Sequence, residues 1–213
     1  MITLLYQQQY LVFGIVLVAL LVSLSLHEFG HAAMAQYFGD DTAAKAGRLT
    51  INPVAHIDPM GLLMVVLIGI GYAKPVPTNP AKFNSRWGVL FVAAAGPAMN
   101  LLLAIFVINL YQIGLDQHWA IFSGNRAEFF FTFLALINLL LMLFNLIPIG
   151  PLDGHYILPY FLNREWAMRY IKTNALYGNW ILLSLIVLNF AGVPIFQSLW
   201  DTGQNLLGSL IFV

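Results

Sequence analysis

The stretch His27-Glu28-Phe29-Gly30-His31 lies near the end of an apolar run that starts at Tyr10. Residues 10 to 26 carry no formal charge, and a helix of about 20 apolar residues is long enough to cross a bilayer. Glu28 is the one charged side chain between residues 1 and 39. We therefore predict a first membrane-spanning helix from Tyr10 to Phe38, with polar side chains near its C-terminal end.

His27 and His31 are four residues apart, so on a helix both imidazoles face the same side. With Glu28 between them they form the pattern H-E-x-x-H, in which two histidines bind zinc and the glutamate acts as general base. The alternative is a pair of hydrogen-bonded polar residues at a helix end. Ionisable groups at membrane depth are costly and usually functional, so the pattern favours a metal site.

The composition is that of a membrane protein. Of all residues, 60% are hydrophobic and 8% are charged, against about 25% charged in an average soluble domain. The net charge of zero gives no electrostatic reason to expect a nucleic acid partner. The chain has no cysteine, which excludes disulfides and thiolate catalysis. No basic stretch precedes the first apolar run, so we do not expect a cleaved signal peptide.

Further apolar segments follow the first. Charge-free runs predict spans in the third segment, Trp87 to Leu115, and in the fourth, Phe129 to Ile147, and a further span is predicted in the fifth, Thr173 to Phe190. A last segment, Ile195 to Val213, either packs its polar face against the bundle, lies along the membrane interface or crosses. The predicted fold class is an all-α polytopic membrane protein with about five to six transmembrane helices.

The region between the first and third hydrophobic segments has a different character. Residues 40 to 59 contain charges, and residues 47 to 51 have a strand-like composition that predicts a short extended segment or hairpin. Met60 to Ala73 is apolar but only about 14 residues long, too short to span comfortably. We predict a short re-entrant or extended element here. His56 and Asp58 either contact a metal or substrate or cap and orient the turn into this run.

Two polar residues inside later apolar segments are further site candidates. Asn100, in the predicted third span, either joins helices by hydrogen bonds or contacts substrate. Asp153 is the one formal charge between Phe129 and Asn163. It is either an ordinary turn aspartate in Asp-Gly or the third zinc ligand, a role that carboxylates commonly fill. The apolar surroundings favour coordination.

The basic residues predict an orientation. Eight of the nine Lys and Arg residues follow the first, second and fourth apolar segments, and Arg126 alone follows the third. If the second segment does not cross, all eight lie on one face, which the positive-inside rule makes cytoplasmic. The metal motif would then lie nearer the cytoplasmic side.

Three motifs together resemble the site-2 protease family of intramembrane zinc metalloproteases, peptidase family M50. These motifs are His27 to His31, the element Gly96-Pro97…Asn100, and Asn145-Leu146-Ile147-Pro148-Ile149-Gly150-Pro151-Leu152-Asp153-Gly154. Residues 52–53, 56–59 and 74–77 resemble the small prokaryotic branch of that family. The order and spacing of both metal motifs match the family pattern.

The resemblance implies Zn²⁺ held by His27, His31 and Asp153, with Glu28 as the base. It also implies that Asn145 contacts the scissile carbonyl or oxyanion, and that the stretch after the first motif helps to hold an unwound substrate. We list Asn100 and His56 as substrate-binding candidates. The implied substrates are membrane-embedded helices of other proteins, and the implied location is the lipid bilayer of a prokaryotic cell (inner) membrane.

We expect one integral-membrane metalloprotease domain over residues 1–213, with a core at 10–160 and accessory helices at 173–213. We find no room for PDZ or CBS domains, so regulation by them is not expected. The alternatives are a metal-transporting membrane protein and a catalytically silent metalloprotein that uses the same ligands. The sequence makes no prediction about substrate identity or oligomeric state.

Overall fold

The computed structural model describes residues 1–68 and 71–212, and within these ranges the chain is helical with no β-strand. The α-helices of the described residues are α1 Ile2–Tyr6, α2 Tyr10–Tyr37, α3 Thr42–Lys45, α4 Pro53–His56, α5 Pro59–Ile68, α6 Gly88–Asp116, α7 Asn125–Asn145, α8 Gly154–Ile157, α9 Arg164–Phe190 and α10 Gln197–Ser209. The predicted all-α class is confirmed.

Four helices of the described chain are long and apolar enough to cross a membrane: α2, α6, α7 and α9. They contain 28, 29, 21 and 27 residues, and at about 1.5 Å per residue each exceeds the hydrocarbon thickness of about 30 Å. They correspond to the first, third, fourth and fifth predicted segments. The chain is a polytopic integral membrane protein.

Helix α9 begins at Arg164, well before the predicted start at Thr173. The Asn163 side chain accepts a hydrogen bond from the Trp166 N–H at 3.0 Å and so caps the helix. Glu165 and Arg169 then pair one turn apart at 2.6 Å. The prediction placed this helix start too late because hydropathy marks the apolar part of a helix, whereas the cap marks its first turn.

The centre of the bundle is formed by α2, α6 and α7. Small residues allow the helices to approach closely. A Cβ on Gly30 of α2 would lie 2.6 Å from Met99 of α6 and 2.7 Å from the carbonyl oxygen of Ala95. This contact brings the histidine pair on α2 against the Gly96 turn of α6.

The predicted re-entrant element is a short helix followed by an irregular stretch. Helix α5 has 10 residues, which span about 15 Å. After α5 the chain comes back to the start of this helix. The Lys74 N–H donates to the carbonyl of His56 at 2.9 Å, and Gly61 lies against the backbone of Tyr72. Residues 69 and 70 of the predicted segment lie outside the described residues. Residue 47 lies in a turn and residues 49 and 50 in a bend, so of the two predicted alternatives, a short extended segment or a hairpin, the described residues do not form the hairpin.

Helix α10 has 13 residues, about 20 Å of helix, which is less than a bilayer crossing requires. Its side chains Leu206 and Leu207, followed by Leu210, pack against the cluster of Ala104, Leu139 and Met142. The side chains of Gln204 and Asn205 are exposed. The apolar stripe, and not the polar face, therefore packs against the bundle.

Candidate metal centre

The structure brings the three predicted metal ligands together. His27 and His31 come from α2, and Asp153 comes from the turn just before α8; one ligand atom from each lies within 4.8 Å of the others. The two Nε2 atoms are 3.0 Å apart. Asp153 Oδ2 lies 3.2 Å from His27 Nε2, and Asp153 Oδ1 lies 3.4 Å from His31 Nε2.

Hydrogen bonds on the far side of each ring fix the tautomers. Asn100 uses its amide group to donate to Asn138 Oδ1 at 2.8 Å and to the Ser23 carbonyl at 3.3 Å. Its Oδ1 atom must therefore accept the 2.6 Å hydrogen bond from His27 Nδ1–H. His31 Nδ1–H donates to the Val92 carbonyl at 2.7 Å. In the neutral form of each ring, Nε2 therefore turns an unprotonated lone pair toward Asp153.

This arrangement suits a cation. With both rings neutral, two imidazole lone pairs and a carboxylate converge at 3.0 to 3.4 Å, and among the described residues the buried Asp153 Oδ2 has no hydrogen-bond partner. Zinc binds neutral imidazole nitrogen and carboxylate oxygen and takes three protein ligands in catalytic sites. The donor set fits Zn²⁺. Asp153 keeps 17% of its side chain exposed, so the centre is not sealed.

Gly96 provides the space for an ion. A Cβ added at this position would lie 2.6 Å from His27 Nε2 and even closer to His31 Nε2. Any larger residue would therefore occupy the point where the ligands converge. The small-residue element of α6 serves the metal centre as well as helix packing.

A buried network continues from Asn100 into the bundle. Asn138 of α7 donates to Ser23 Oγ at 2.8 Å and to the Leu134 carbonyl at 2.7 Å, and Asn100, Asn138 and Ser23 are fully buried. The oxygen and the NH₂ group of the Asn100 side chain both have hydrogen-bond partners inside the protein, so the structure gives this residue a role in orienting His27. Its predicted contact with substrate stays a prediction.

Helix α9 supports the turn that presents Asp153. Tyr170 donates to the Pro148 carbonyl at 2.9 Å. Asn174 accepts from the Gly150 N–H at 2.9 Å and donates to His155 Nδ1 at 2.7 Å. Sequence reasoning missed both α9 residues, because a tyrosine and an asparagine at the polar start of a helix resemble ordinary interface residues.

Glu28 is half-buried and accepts one backbone hydrogen bond within the described residues. Its Oε2 atom accepts a hydrogen bond from the Val76 N–H at 3.0 Å. Val76 belongs to residues 71–79, the irregular part of the re-entrant element, which we call the 71–79 loop. This contact was not predicted, since a backbone donor leaves no mark in the sequence.

Two other predicted site residues have protein partners. Asn145 donates from Nδ2 to the Leu141 carbonyl of its own helix at 3.0 Å. His56 is buried, with Nε2 2.7 Å from the Thr50 carbonyl and Nδ1 3.3 Å from Arg48. Their contacts with substrate stay predictions. Asp58 accepts from the N–H groups of residues 60 and 61, both at 2.9 Å, and so caps α5. This contact corresponds to the capping alternative of the two given for this residue from the sequence.

Asp40 anchors the far end of the 71–79 loop. Its fully buried carboxylate accepts from the Asn79 N–H at 2.6 Å and from the Thr42 N–H at 3.0 Å. Burial raises the pKa of this group, but the bonds from Thr42 and Asn79, with the nearby Lys82 charge, outweigh that effect and leave the pKa below its ordinary value. Asp40 is therefore held as a carboxylate.

The fold and site together define an integral membrane protein with a candidate centre for one metal ion, formed by two histidines and one aspartate. The sequence model of peptidase family M50 matches residues 15–115 and 108–188. This chain belongs to peptidase family M50. The predicted family, enzyme class and Zn²⁺ cofactor are thus confirmed at the level of the family.

Similar proteins carry matching names. "Putative zinc metalloprotease YwhC" of Bacillus subtilis is 42% identical over 146 residues, 66% of this chain and 66% of that protein. "Putative zinc metalloprotease Rip2" of Mycolicibacterium smegmatis is 35% identical over 185 residues, 83% of this chain and 68% of that protein. "Zinc metalloprotease MJ0392" of Methanocaldococcus jannaschii is 24% identical over 169 residues, 78% of this chain and 39% of that protein.

The matched region therefore spans about two thirds or less of the length of these relatives. No solved structure matches this chain closely.

Proposed function

We propose that this protein is a zinc metalloprotease that hydrolyses peptide bonds within or next to the membrane-spanning segments of other membrane proteins. One observation carries the proposal: the triad of His27, His31 and Asp153 lies inside a bundle of membrane-spanning helices, with Glu28 next to it in the sequence. A peptidase centre in this position meets substrate bonds at membrane depth.

The residues divide the work of hydrolysis. His27, His31 and Asp153 would hold the metal, with their ring tautomers fixed by Asn100 and the Val92 carbonyl. Zinc held by these residues would lower the pKa of a water molecule to about 7 and polarise a carbonyl group. Glu28 accepts the proton that the attacking water loses.

The substrate must change shape before it is cut. The peptide bonds of a helix are shielded by their own hydrogen bonds, so a membrane-spanning substrate has to unwind locally at the centre. Asn145 would then donate its amide N–H to the developing oxyanion. Its present bond to Leu141, within its own helix, would have to break for this.

The partners and location follow from the same proposal. The substrates are membrane-embedded proteins, and the protein acts in the lipid bilayer of a prokaryotic cell membrane. The Lys74 N–H bonds back to the His56 carbonyl at the start of α5, which supports the view that this element does not cross. We therefore infer that the eight basic residues other than Arg126 share one face. The positive-inside rule makes that face cytoplasmic, so we place the metal centre nearer the cytoplasm.

The test uses purified protein in vesicles together with a single-span membrane protein, and mass spectrometry locates the cut bond. The wild type and Glu128→Gln, which alters an exposed acid far from the triad in sequence, should cut within or beside the apolar span. Glu28→Gln should lose about 10²–10⁴ in rate. Cleavage confined to loops distant from the membrane, or an undiminished rate in Glu28→Gln, would overturn the proposal.

A further inference from the structure

The 71–79 loop is held on Glu28 by a single backbone donor. The Val76 N–H lies 3.0 Å from Glu28 Oε2, and the residues on either side of Val76 are prolines, which have no N–H to offer. A hydrogen bond to a carboxylate is charge-assisted and restricts the rotation of the acid. The orientation of Glu28 thus depends on where the loop places one peptide group.

Arg48 fixes that peptide group from the other side. Its guanidinium donates to the Lys74 carbonyl and, at 3.3 Å, to the Pro75 carbonyl. These two carbonyls immediately precede the Val76 N–H along the chain. Arg48 thus holds the backbone that aims the donor at Glu28.

Arg48 itself is oriented by His56. His56 Nε2 lies 2.7 Å from the Thr50 carbonyl, which can only accept, so Nε2 carries the proton and Nδ1 accepts from Arg48 at 3.3 Å. Arg48 is 5% exposed, and its Nε atom has no hydrogen-bond partner in the part of the chain that the structure describes. No carboxylate among the described residues pairs with it.

Burying the Arg48 charge in this way lowers the stability of the fold, so its presence indicates a function. Arginine stays charged at every accessible pH, and a buried charge carries a desolvation penalty of several kcal/mol. Here the charged group donates to two backbone carbonyls of an exposed loop. A shorter neutral side chain at this position would avoid the desolvation penalty. The one functional group at the other end of this chain of contacts is Glu28.

We propose that Arg48 and the Val76 N–H position the carboxylate of Glu28 for proton transfer, with His56 orienting Arg48. This role rests on the proposed protease function. Arg48 acts through the loop and touches no reacting atom, so it is a positioning residue. A misplacement of about 1 Å in a catalytic group can cost about 10² in rate, and a loop anchored at both ends prevents it.

Val76→Pro tests the hydrogen bond directly. Proline removes the N–H in a segment that already has proline on both sides, and Thr78→Pro makes the same change two residues later while the Val76 N–H remains. With wild-type zinc content and melting temperature, Val76→Pro should lower kcat about tenfold or more with KM unchanged, whereas Thr78→Pro should not.

Arg48→Lys tests the clamp. Lysine keeps the charge but lacks the planar fork that holds two carbonyls, so kcat should fall at unchanged KM and zinc content. Amide hydrogen exchange in the 71–79 loop should become faster in this variant, a readout that does not depend on activity.

The outcomes separate the two proposals. An active wild type with equal kcat in Val76→Pro and Thr78→Pro would overturn the positioning role alone, and so would a rise in kcat in Val76→Pro, which would show that the loop restrains Glu28. Exchange in the loop that is unaffected by Arg48→Lys would also overturn it. An inactive wild type would overturn the protease function and, with it, this role.

Discussion

His27 donates its Nδ1–H to Oδ1 of Asn100 at 2.6 Å, and the Asn100 amide is oriented by two further hydrogen bonds inside the bundle. A partner of this kind raises the basicity of a ligating imidazole and fixes its tautomer. We predict that Asn100→Ala lowers zinc affinity about 10–100-fold, measured by competition with a chelator.

Asn109→Ala is the matched control for Asn100. Asn109 lies on the same helix, and its amide bonds to the Ile105 and Leu210 carbonyls. This variant should lose some stability and keep its zinc affinity. Equal affinity in wild type and Asn100→Ala would show that the Asn100 hydrogen bond does not support the metal centre.

Asn145 is predicted to act on the substrate. If its amide donates to the oxyanion, Asn145→Ala should lower turnover about 10²–10³-fold at normal zinc content and melting temperature. If the amide serves its own helix through the Leu141 carbonyl, turnover should fall only in step with stability. Measuring cleavage, zinc and melting on one preparation distinguishes the two, and a parallel decline would rule out the catalytic role.

Asp40 should make stability depend on pH. The pKa of this carboxyl is lowered in the folded protein, so its contribution is complete above the ordinary value of 3.8 and is lost as the pH falls through the folded value. Asp40→Asn should cost about 1.5–3 kcal/mol at neutral pH, typical of a hydrogen bond to a charged group. Thermal melting should show this gap closing below pH 3.8, and a gap that persists there would contradict the assignment.

The topology can be tested by labelling, because the chain has no native cysteine. Single cysteines at the exposed positions Thr78, Ser123 and Lys172 can be reacted with an impermeant reagent from either side. We predict that positions 78 and 172 react from the cytoplasmic face and position 123 from the opposite face. A cysteine at Ala46, an exposed position between α2 and α5, should react from the same face as position 78. Reaction of positions 46 and 78 from opposite faces would show that the re-entrant element crosses.

The proximity of His27, His31 and Asp153 could be predicted because charge at membrane depth is rare. Glu28 and Asp153 stand alone in long apolar stretches, so each was conspicuous, and the spacing of His27 and His31 fixed their common face. The four spanning helices were visible for the same reason, since apolar length decides what can cross a bilayer.

The supporting contacts could not be predicted. Arg48 and His56 lie in a short charged region where such residues are usually solvated, and only the folded chain shows that both are buried. The Val76 N–H and the Val92 carbonyl are backbone groups, whose partners depend on tertiary approach and not on residue type. Asn100 could be recognised as a buried amide, but the sequence does not indicate which neighbouring groups its side chain bonds to.

The zinc content of Asp153→Ala tests the central claim most directly. Asp153 is the ligand that only the fold brings to the histidine pair, and its removal leaves two imidazoles where a catalytic zinc site has three protein ligands. Elemental analysis of purified protein should find about one zinc per chain in wild type and in Glu28→Gln, and clearly less in Asp153→Ala. Full zinc occupancy in Asp153→Ala would contradict the proposed metal centre.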